Sequence, residues 1–357
     1  MKYWFPTQHY SNDPLIQKSN TPTIQHSSGK DCGSPSQPRG PGRETRAFFI
    51  SKNLKFAIEN FKLQIVSSRL FLSPSAPNFH CVPAQILLSW DMTSQTLLPT
   101  RPNPCVALVT GGGRGIGRAI ALAFAHEDLD VAVVSRSKEQ IESVKIEIEA
   151  LGRRAVAIPC DVSDRTSVND AVVKVRETLG AITVLVNNAG IHLAKRFSSV
   201  TAAEWQNILA VNLSSIFYFT QAVLPDMEKA NWGRIINMSS AAGRMGVPYA
   251  VPYNATKHGV IGFTRGLALD LARTGIAVNA ICPGWVLTDM VRANAEGLAA
   301  KTGMTYENAL ESLVSTSPQK RFVEVEEIAH VAVILLSDLA RSITGQEIGI
   351  DGGIVVA

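Results

Sequence analysis

A doubly wound parallel α/β sheet in a single domain is the fold that residues 105–353 predict, on three grounds. Runs of five or six residues that are apolar almost throughout alternate with longer stretches of helical period. Such runs suit strands buried on both faces, as in parallel sheets, rather than the half-exposed strands of an antiparallel one. A glycine cluster lies where the first run gives way to the first helix. Repeated strand–helix units require right-handed crossovers, and ligands then bind beyond the carboxyl ends of the strands, where strand order reverses.

CVALVT (105–110), between Pro104 and the glycines, is the first strand, and 115–127 is the first helix. VAVVS (131–135) is the second strand. The amphipathic, charged stretch KEQIESVKIEIEAL (138–151) is a helix ended by Gly152. AVAIP (155–159), a helix over 165–179 and ITVLVN (182–187) complete the first half. Residues 201–229 read as one long or kinked helix, GRIINMS (233–239) as the fifth strand and 253–273 as the next helix. IAVNAIC (276–282), a helix over 324–337 and QEIGID (346–351) close the sheet.

The front of the 357-residue chain is of another kind. Residues 1–91 carry 10 Lys/Arg against 5 Asp/Glu, whereas 92–357 carry 24 against 25. The basicity is therefore confined to the leading segment. The main body has no charge excess that would suit nucleic acid or an anionic membrane. Twelve of the 18 prolines precede Cys105, and the first 45 residues show no apolar period. Such a stretch cannot bury enough surface to offset its ordering entropy and is expected to be disordered. Residues 47–72 could form a marginal helix or strand, broken by Pro74, Pro77 and Pro83. We read 1–91 as sequence upstream of a true start at Met92, with 92–357 as the catalytic domain. A targeting segment, which would lack its Arg-rich amphipathic pattern, and a regulatory extension are the competing readings. No stretch approaches the roughly 18 uninterrupted apolar residues of a membrane span. The five cysteines (32, 81, 105, 160, 282) show no CxxC spacing, which fits a reducing, cytoplasmic compartment and no metal site.

The first strand runs into Thr110-Gly111-Gly112-Gly113-Arg114-Gly115-Ile116-Gly117, and a helix follows. Glycines let the backbone approach a pyrophosphate, and the helix N-terminus offers free N–H groups at the positive end of its dipole. A site for NAD usually places Asp or Glu about 20 residues further on, for the adenosine ribose. This chain has Ser135-Arg136-Ser137 there. Arg136 could pair with a 2′-phosphate and Arg114 could reach it from the loop, so NADP is expected, with NAD possible.

Tyr253 and Lys257 stand four apart and share one helix face. An ammonium beside a phenol lowers a pKa that is otherwise about 10, which suits a Tyr that exchanges a proton while hydride moves. Ser240, thirteen residues before Tyr253, ends a buried strand and could hydrogen-bond a substrate carbonyl. Ser239 is the neighbouring candidate, and the pleat lets only one of the two face the site.

With these in hand, 105–353 resembles the short-chain dehydrogenases/reductases, a single-domain Rossmann family. The matching motifs are TGGGRGIG (110–117), NNAG (187–190), Asn212 in VNLSS, Ser240, YNATK (253–257) and PGWVLT (283–288). The resemblance implies that Tyr253 is the general acid in reduction, Lys257 lowers its pKa and holds the nicotinamide ribose, and Ser240 polarises the carbonyl. It implies that Asn212 holds a proton-passing water. Asp161 and Val162 would meet the adenine, and Asn188, Ala189 and Gly190 the ribose or the sheet beneath it. Pro283, Gly284, Val286 and Thr288 would embrace the nicotinamide. It also implies a homotetramer, through the apolar helices at 201–229 and 253–273.

Residues 252–291 are similar both to 3-oxoacyl and polyketide ketoreductases and to 3-hydroxybutyrate dehydrogenases. The second group holds a free carboxylate with a His two after the Ser and a Lys three before the Tyr. This chain has Ala242 and Ala250 there. A small carboxylate would lose water without gaining a partner. The expectation is therefore ketone–alcohol interconversion on a 3-oxoacyl thioester or related β-keto compound. A dehydrogenase of hydroxybutyrate, a sugar or a cyclic alcohol is the enzyme rival, and a non-catalytic dinucleotide-binding scaffold the other. Residues 288–320 are expected to form the substrate lid. His192 and Arg244 flank the expected pocket. His192 could contact substrate or cofactor but is expected to be a partly exposed structural residue. Arg244 could meet a phosphopantetheine or carrier-protein acid but is expected to be solvated. His258 is expected to point off the active face.

Overall fold

The computed structural model describes residues 100–356. The expectations for 1–91, including the boundary at Met92 and the break-up of 47–72, lie outside the described residues.

Seven strands form one parallel sheet in the order β3-β2-β1-β4-β5-β6-β7. They are β1 (Val106–Thr110), β2 (Asp130–Ser135), β3 (Ala155–Pro159), β4 (Ile182–Asn187), β5 (Gly233–Met238), β6 (Ile276–Pro283) and β7 (Glu347–Ile350). The helices of the two outer layers are α1 (Gly115–His126), α2 (Lys138–Ala150), α3 (Arg165–Thr178), α4 (Ala202–Leu209), α5 (Ser215–Ala230), α6 (Val251–Asp270) and α9 (Val325–Leu336). Two more, α7 (Asp289–Thr302) and α8 (Tyr306–Val314), pack on each other beyond the end of β6.

The apolar character of the strands has a direct cause in β1. Ala107 and Val109 belong to a core with Ile120 and Phe124 of α1, Ile141 of α2 and Leu335 of α9. Val106 and Leu108, on the other face, belong to a second core with Val172 of α3 and Phe219 and Val223 of α5. Successive side chains point to opposite faces, and both faces are covered. Each of the larger side chains among these contributes about 1.5–3 kcal/mol by burial. Strand order reverses between β1 and β4, and the loops after these two strands open a crevice at their carboxyl ends.

The helix read over 201–229 is in two parts. Thr201 and Glu204 form a reciprocal capping box at the start of α4. A wide π-type turn over Ala210–Ser214 then joins it to α5. The combined span Ala202–Ala230 is long and apolar enough to cross a membrane by length and composition, an 18-residue window of it having a mean hydropathy of 1.4. One face of it nevertheless packs into the core, Phe219 and Val223 at 0% exposure, while Phe217 is exposed. The helix predicted over 253–273 starts at Val251, with Pro252 in its first turn, and ends at Asp270. Tyr253 thus lies in the first turn of α6.

Candidate functional site

The glycine loop is tight for two separate reasons. Gly115 has φ +53°, in the left-handed region that L side chains rarely adopt. Gly117 is held by space: a Cβ there would stand 2.3 Å from the Gly111 carbonyl oxygen and 2.5 Å from Asn188 Nδ2. No side chain caps α1, so its first amides are left for a ligand. Gly111, Gly115 and Ile116 line a cleft of about 770 Å³. Gly117 lies behind it and sets the packing of α1.

At the far end of the cleft, the tip of β2 gives Ser135, Arg136 and Ser137, and the turn after β3 gives Asp161 and Val162. Arg136 is exposed and makes no ion pair among the described residues. The Asp161 carboxylate accepts from the Ser163 hydroxyl at 2.6 Å and its backbone N–H at 2.9 Å. These bonds, aided by the charge of Arg136, hold its pKa below the ordinary value. Arg114 is differently engaged: it pairs with Asp289, the first residue of α7, across the mouth of the cleft.

The NNAG segment divides its labour. Asn187 donates to Asn237 at 2.8 Å, and Asn237 to Thr264 at 3.0 Å, a buried polar relay through the sheet. Asn188 Nδ2 donates to the carbonyls of Thr110 (2.9 Å) and Gly111 (3.2 Å). The Thr110 hydroxyl in turn accepts from the backbones of Asn188 and Ala189. Asn188 therefore bolts the glycine loop to β4. A Cβ at Gly190 would lie 3.4 Å from Asn212 Oδ1 and 3.6 Å from Lys257 Nζ.

Those two side chains complete the inner end. Asn212, in the π-type turn, is wholly buried behind the cleft wall. It accepts from the Ile191 N–H (2.8 Å) and donates to the Ile191 carbonyl (2.9 Å) and to Thr256 (3.2 Å). Lys257 Nζ donates to the Met238 carbonyl at 2.7 Å and stands 5.6 Å from the centre of the Tyr253 ring. Burial lowers the Lys257 pKa to about 8. Burial also raises that of Tyr253, against a smaller downward pull from the Ser240 hydroxyl. The direction for Tyr253 is opposite to the one its spacing from Lys257 predicts, because loss of hydration outweighs nearby polar groups in this pocket. Ser239 donates to the Lys257 carbonyl at 2.9 Å, whereas Ser240 accepts from the Ala242 N–H at 3.1 Å and faces Tyr253. Pro283, Gly284, Val286 and Thr288 form the opposite wall.

Glycine loop, ribose-side polar groups and the Ser240, Tyr253 and Lys257 cluster thus share one elongated cleft, with the shape and donor set for a dinucleotide. The family model for short chain dehydrogenases matches residues 105–299. The chain belongs to the short-chain dehydrogenase family. It is accordingly an oxidoreductase of ketones and secondary alcohols, in a family that uses NAD(P). The D-beta-hydroxybutyrate dehydrogenase of Rhizobium meliloti (strain 1021) is 36% identical over 250 residues, 69% of this chain and 97% of that one. The 3-oxoacyl-[acyl-carrier-protein] reductase FabG of Staphylococcus epidermidis (strain ATCC 35984) is 40% identical over 248 residues, 69% of this chain and 97% of that one. Among solved structures, a tryptophan variant of actinorhodin polyketide ketoreductase with NADPH aligns with a TM-score of 0.68 at 37% identity. It covers 71% of this chain and 97% of its own.

In this short-chain dehydrogenase the structure adds contacts to residues that the sequence places beside the pocket, and brings one more residue to it. His192 is partly buried with its ring edge-on to Tyr253, centroids 4.8 Å apart. Arg244 is partly buried rather than solvated. Its guanidinium covers Gly349, where a Cβ would stand 2.6 Å from Nη1. Arg292 on α7 lines the cleft. His258 is exposed, as its position on α6 predicts, and bonds the Asn254 carbonyl at 2.9 Å. The places of His192 after NNAGI and of Arg244 after Ser240 flag both residues, but their contacts with Tyr253 and Gly349 join distant segments and leave no local sign.

Proposed function

We propose that this enzyme is an NADP-dependent reductase of 3-oxoacyl thioesters or closely related β-keto compounds. The observation that carries the reading is the Ser240, Tyr253 and Lys257 cluster at the closed end of a cleft whose other end offers Arg136 and no carboxylate on β2. A bound nicotinamide dinucleotide supplies hydride. Gly111, Arg114, Gly115 and Ile116 would hold its pyrophosphate, Arg136 its 2′-phosphate, Asp161 and Val162 its adenine, and Pro283 to Thr288 its nicotinamide side. Ser240 donates a hydrogen bond to the substrate carbonyl oxygen, which orients it and favours negative charge there. The Tyr253 hydroxyl gives that oxygen its proton. The Lys257 ammonium favours the phenolate left behind, and Asn212 fixes the loop that borders Lys257.

The substrate class rests on Ala242 and Ala250, 5% and 1% exposed. At these two positions, where the hydroxybutyrate dehydrogenases place His and Lys, buried methyls offer a free carboxylate no counter-charge, which favours an uncharged thioester. The NADPH-bound ketoreductase neighbour supports the same cofactor. We further propose a cytoplasmic homotetramer that acts on a small molecule rather than on nucleic acid or membrane. The exposed Phe217 on α5 and Leu269 on α6 support self-association. A monomer in light scattering at micromolar concentration would refute it. Residues 92–357 are proposed as the catalytic domain.

The test follows NADPH and NADH oxidation by the full chain with acetoacetyl-CoA, acetoacetate and a set of cyclic ketones. Acetoacetyl-CoA with NADPH is expected to give the highest kcat/KM. Arg136→Asp is expected to cut NADPH preference by about 10- to 100-fold, the worth of one charge-assisted contact. An unchanged preference would show that Arg136 does not read the cofactor.

A further inference from the structure

His192 is a titratable side chain against the proposed proton donor, and the mechanism above gives it no task. Its loop is anchored at both ends to the machinery. Ile191 is held through its N–H and its carbonyl by Asn212. The Lys195 N–H donates to the Tyr249 carbonyl at 2.7 Å, just ahead of the helix that carries Tyr253. Between these anchors the imidazole edge meets the Tyr253 ring at 71°. That arrangement of two rings is worth about 0.5–1.5 kcal/mol beyond simple burial. The other side of the imidazole reaches α7: its Nδ1 lies 3.1 Å from Asn294 Oδ1, 102 residues away in sequence. With a carbonyl oxygen as partner, Nδ1 is the donor. Burial lowers the pKa of the ring, against the opposing pull of Asn294, which favours the neutral form.

The helix holding Asn294 is attached lightly. Val291 and Ala295 are its buried apolar residues, and both are small. Its first residue, Asp289, pairs with the exposed Arg114. Its residues Asp289 to Arg292 border the cleft itself. A hydrogen bond to this helix from a ring set edge-on to Tyr253 therefore ties the substrate cover to the phenol.

We propose that His192 is a positioning residue for Tyr253, and that Asn294 holds it in place so that the phenol is fully aligned when α7 lies against the cleft. The proposal rests on Tyr253 being the proton donor. His192 touches neither cofactor nor reacting atom in this role. It restricts the Tyr253 ring to one orientation, and α7 secures the restriction. A proton donor displaced by about 1 Å can lose up to about a hundredfold in rate.

The test compares His192→Phe, which keeps the ring and removes the donor, with Asn294→Leu, which removes the acceptor. Kinetics with acetoacetyl-CoA and NADPH are read beside NADPH affinity by fluorescence titration. Each single variant is expected to lower kcat about tenfold, with KM and NADPH Kd within about twofold. The double variant is expected to be no worse than either single one, because both break the same link. Asn294→Asp, which restores an acceptor, is expected to recover most of the kcat lost in Asn294→Leu. Additive losses, a change confined to KM, or no rescue by the aspartate would overturn the proposal. Tyr253→Phe in the same assay keeps the two claims apart. If it leaves reduction intact, the proton-donor reading fails. If it abolishes reduction while the His192 and Asn294 variants match the parent, only the positioning claim fails.

Discussion

The two halves of the cleft are built differently. The half formed by β1, α1, β2 and β3 offers backbone amides, glycines and strand tips. Its geometry follows from hydrogen bonds between neighbours in the sheet, such as Gly111 N–H to the Val134 carbonyl at 2.8 Å. The half formed by β4 to β6, α6 and α7 offers side chains gathered from far apart, and its key contacts span 21 residues (Asn212 to Ile191) and 102 (His192 to Asn294), while Arg114 to Asp289, 175 apart, joins the two halves. A half made of backbone tolerates side-chain change and fails when a Cβ intrudes. A half made of side chains fails one residue at a time.

Tyr253→Phe should have the largest effect. Loss of one general acid costs about 10²–10⁴ in rate, so reduction of acetoacetyl-CoA should fall by that much while NADPH titration changes little. Retention of the rate would show that the second half does not work through side-chain chemistry. Gly117→Val sharpens the contrast from the other side. Its Cβ would lie 2.3 Å from the Gly111 oxygen, and overpacking of this kind costs about 1–3 kcal/mol. A lower Tm and at least tenfold weaker NADPH binding are expected together, and normal NADPH binding would break the comparison.

The pH dependence comes third. Lys257 loses its proton at about pH 8 in the folded chain. The charge that favours phenolate is therefore present below pH 8 and fades above it. kcat/KM for reduction should fall about tenfold per pH unit above that point, since it reports groups of the free enzyme. A profile flat to pH 10 would contradict this. The same shift makes burial of the ammonium a cost to stability that is complete below pH 8. Between there and the unfolded value of 10.5 the unfolded chain binds more protons, so this contribution to stability recovers as pH rises. Asp289→Asn should have the smallest effect. Its pair with Arg114 is exposed on both sides, and such pairs contribute about 0–1 kcal/mol. A change in KM for NADPH of less than about fivefold is expected, and a larger one would mean that the two halves are held together at this point.

The sequence was most readable where structure is local. Strands β3 and β4 match their predicted limits, and the others differ by a residue or two at an end. Apolar runs and strand burial have the same cause there. Tyr253 and Lys257 were readable because four residues make one helical turn. A kink within 201–229 was open from the sequence, but its place at Ala210–Ser214 was not, since the partner of Asn212 there is a loop 21 residues away. Nor were α7 and α8 visible as separate helices. Val291, Ala295 and Ala309 are their buried residues, too few and too small to leave a period. The raised Tyr253 pKa was missed because spacing reveals a neighbouring charge but not how much water has been removed.

The wide turn between α4 and α5 has one more consequence. An α-helix advances about 100° per residue, and a π-type turn takes up one surplus residue as a local bulge, so that the helices on either side keep their phase. Ile208 before the turn and Phe219 after it are both buried. Deleting a single residue from this turn would restore a regular screw while α4 and α5 kept their packing, yet it would draw in the widened backbone from which Asn212 reaches its loop, with no charge or hydrophobic group having been altered.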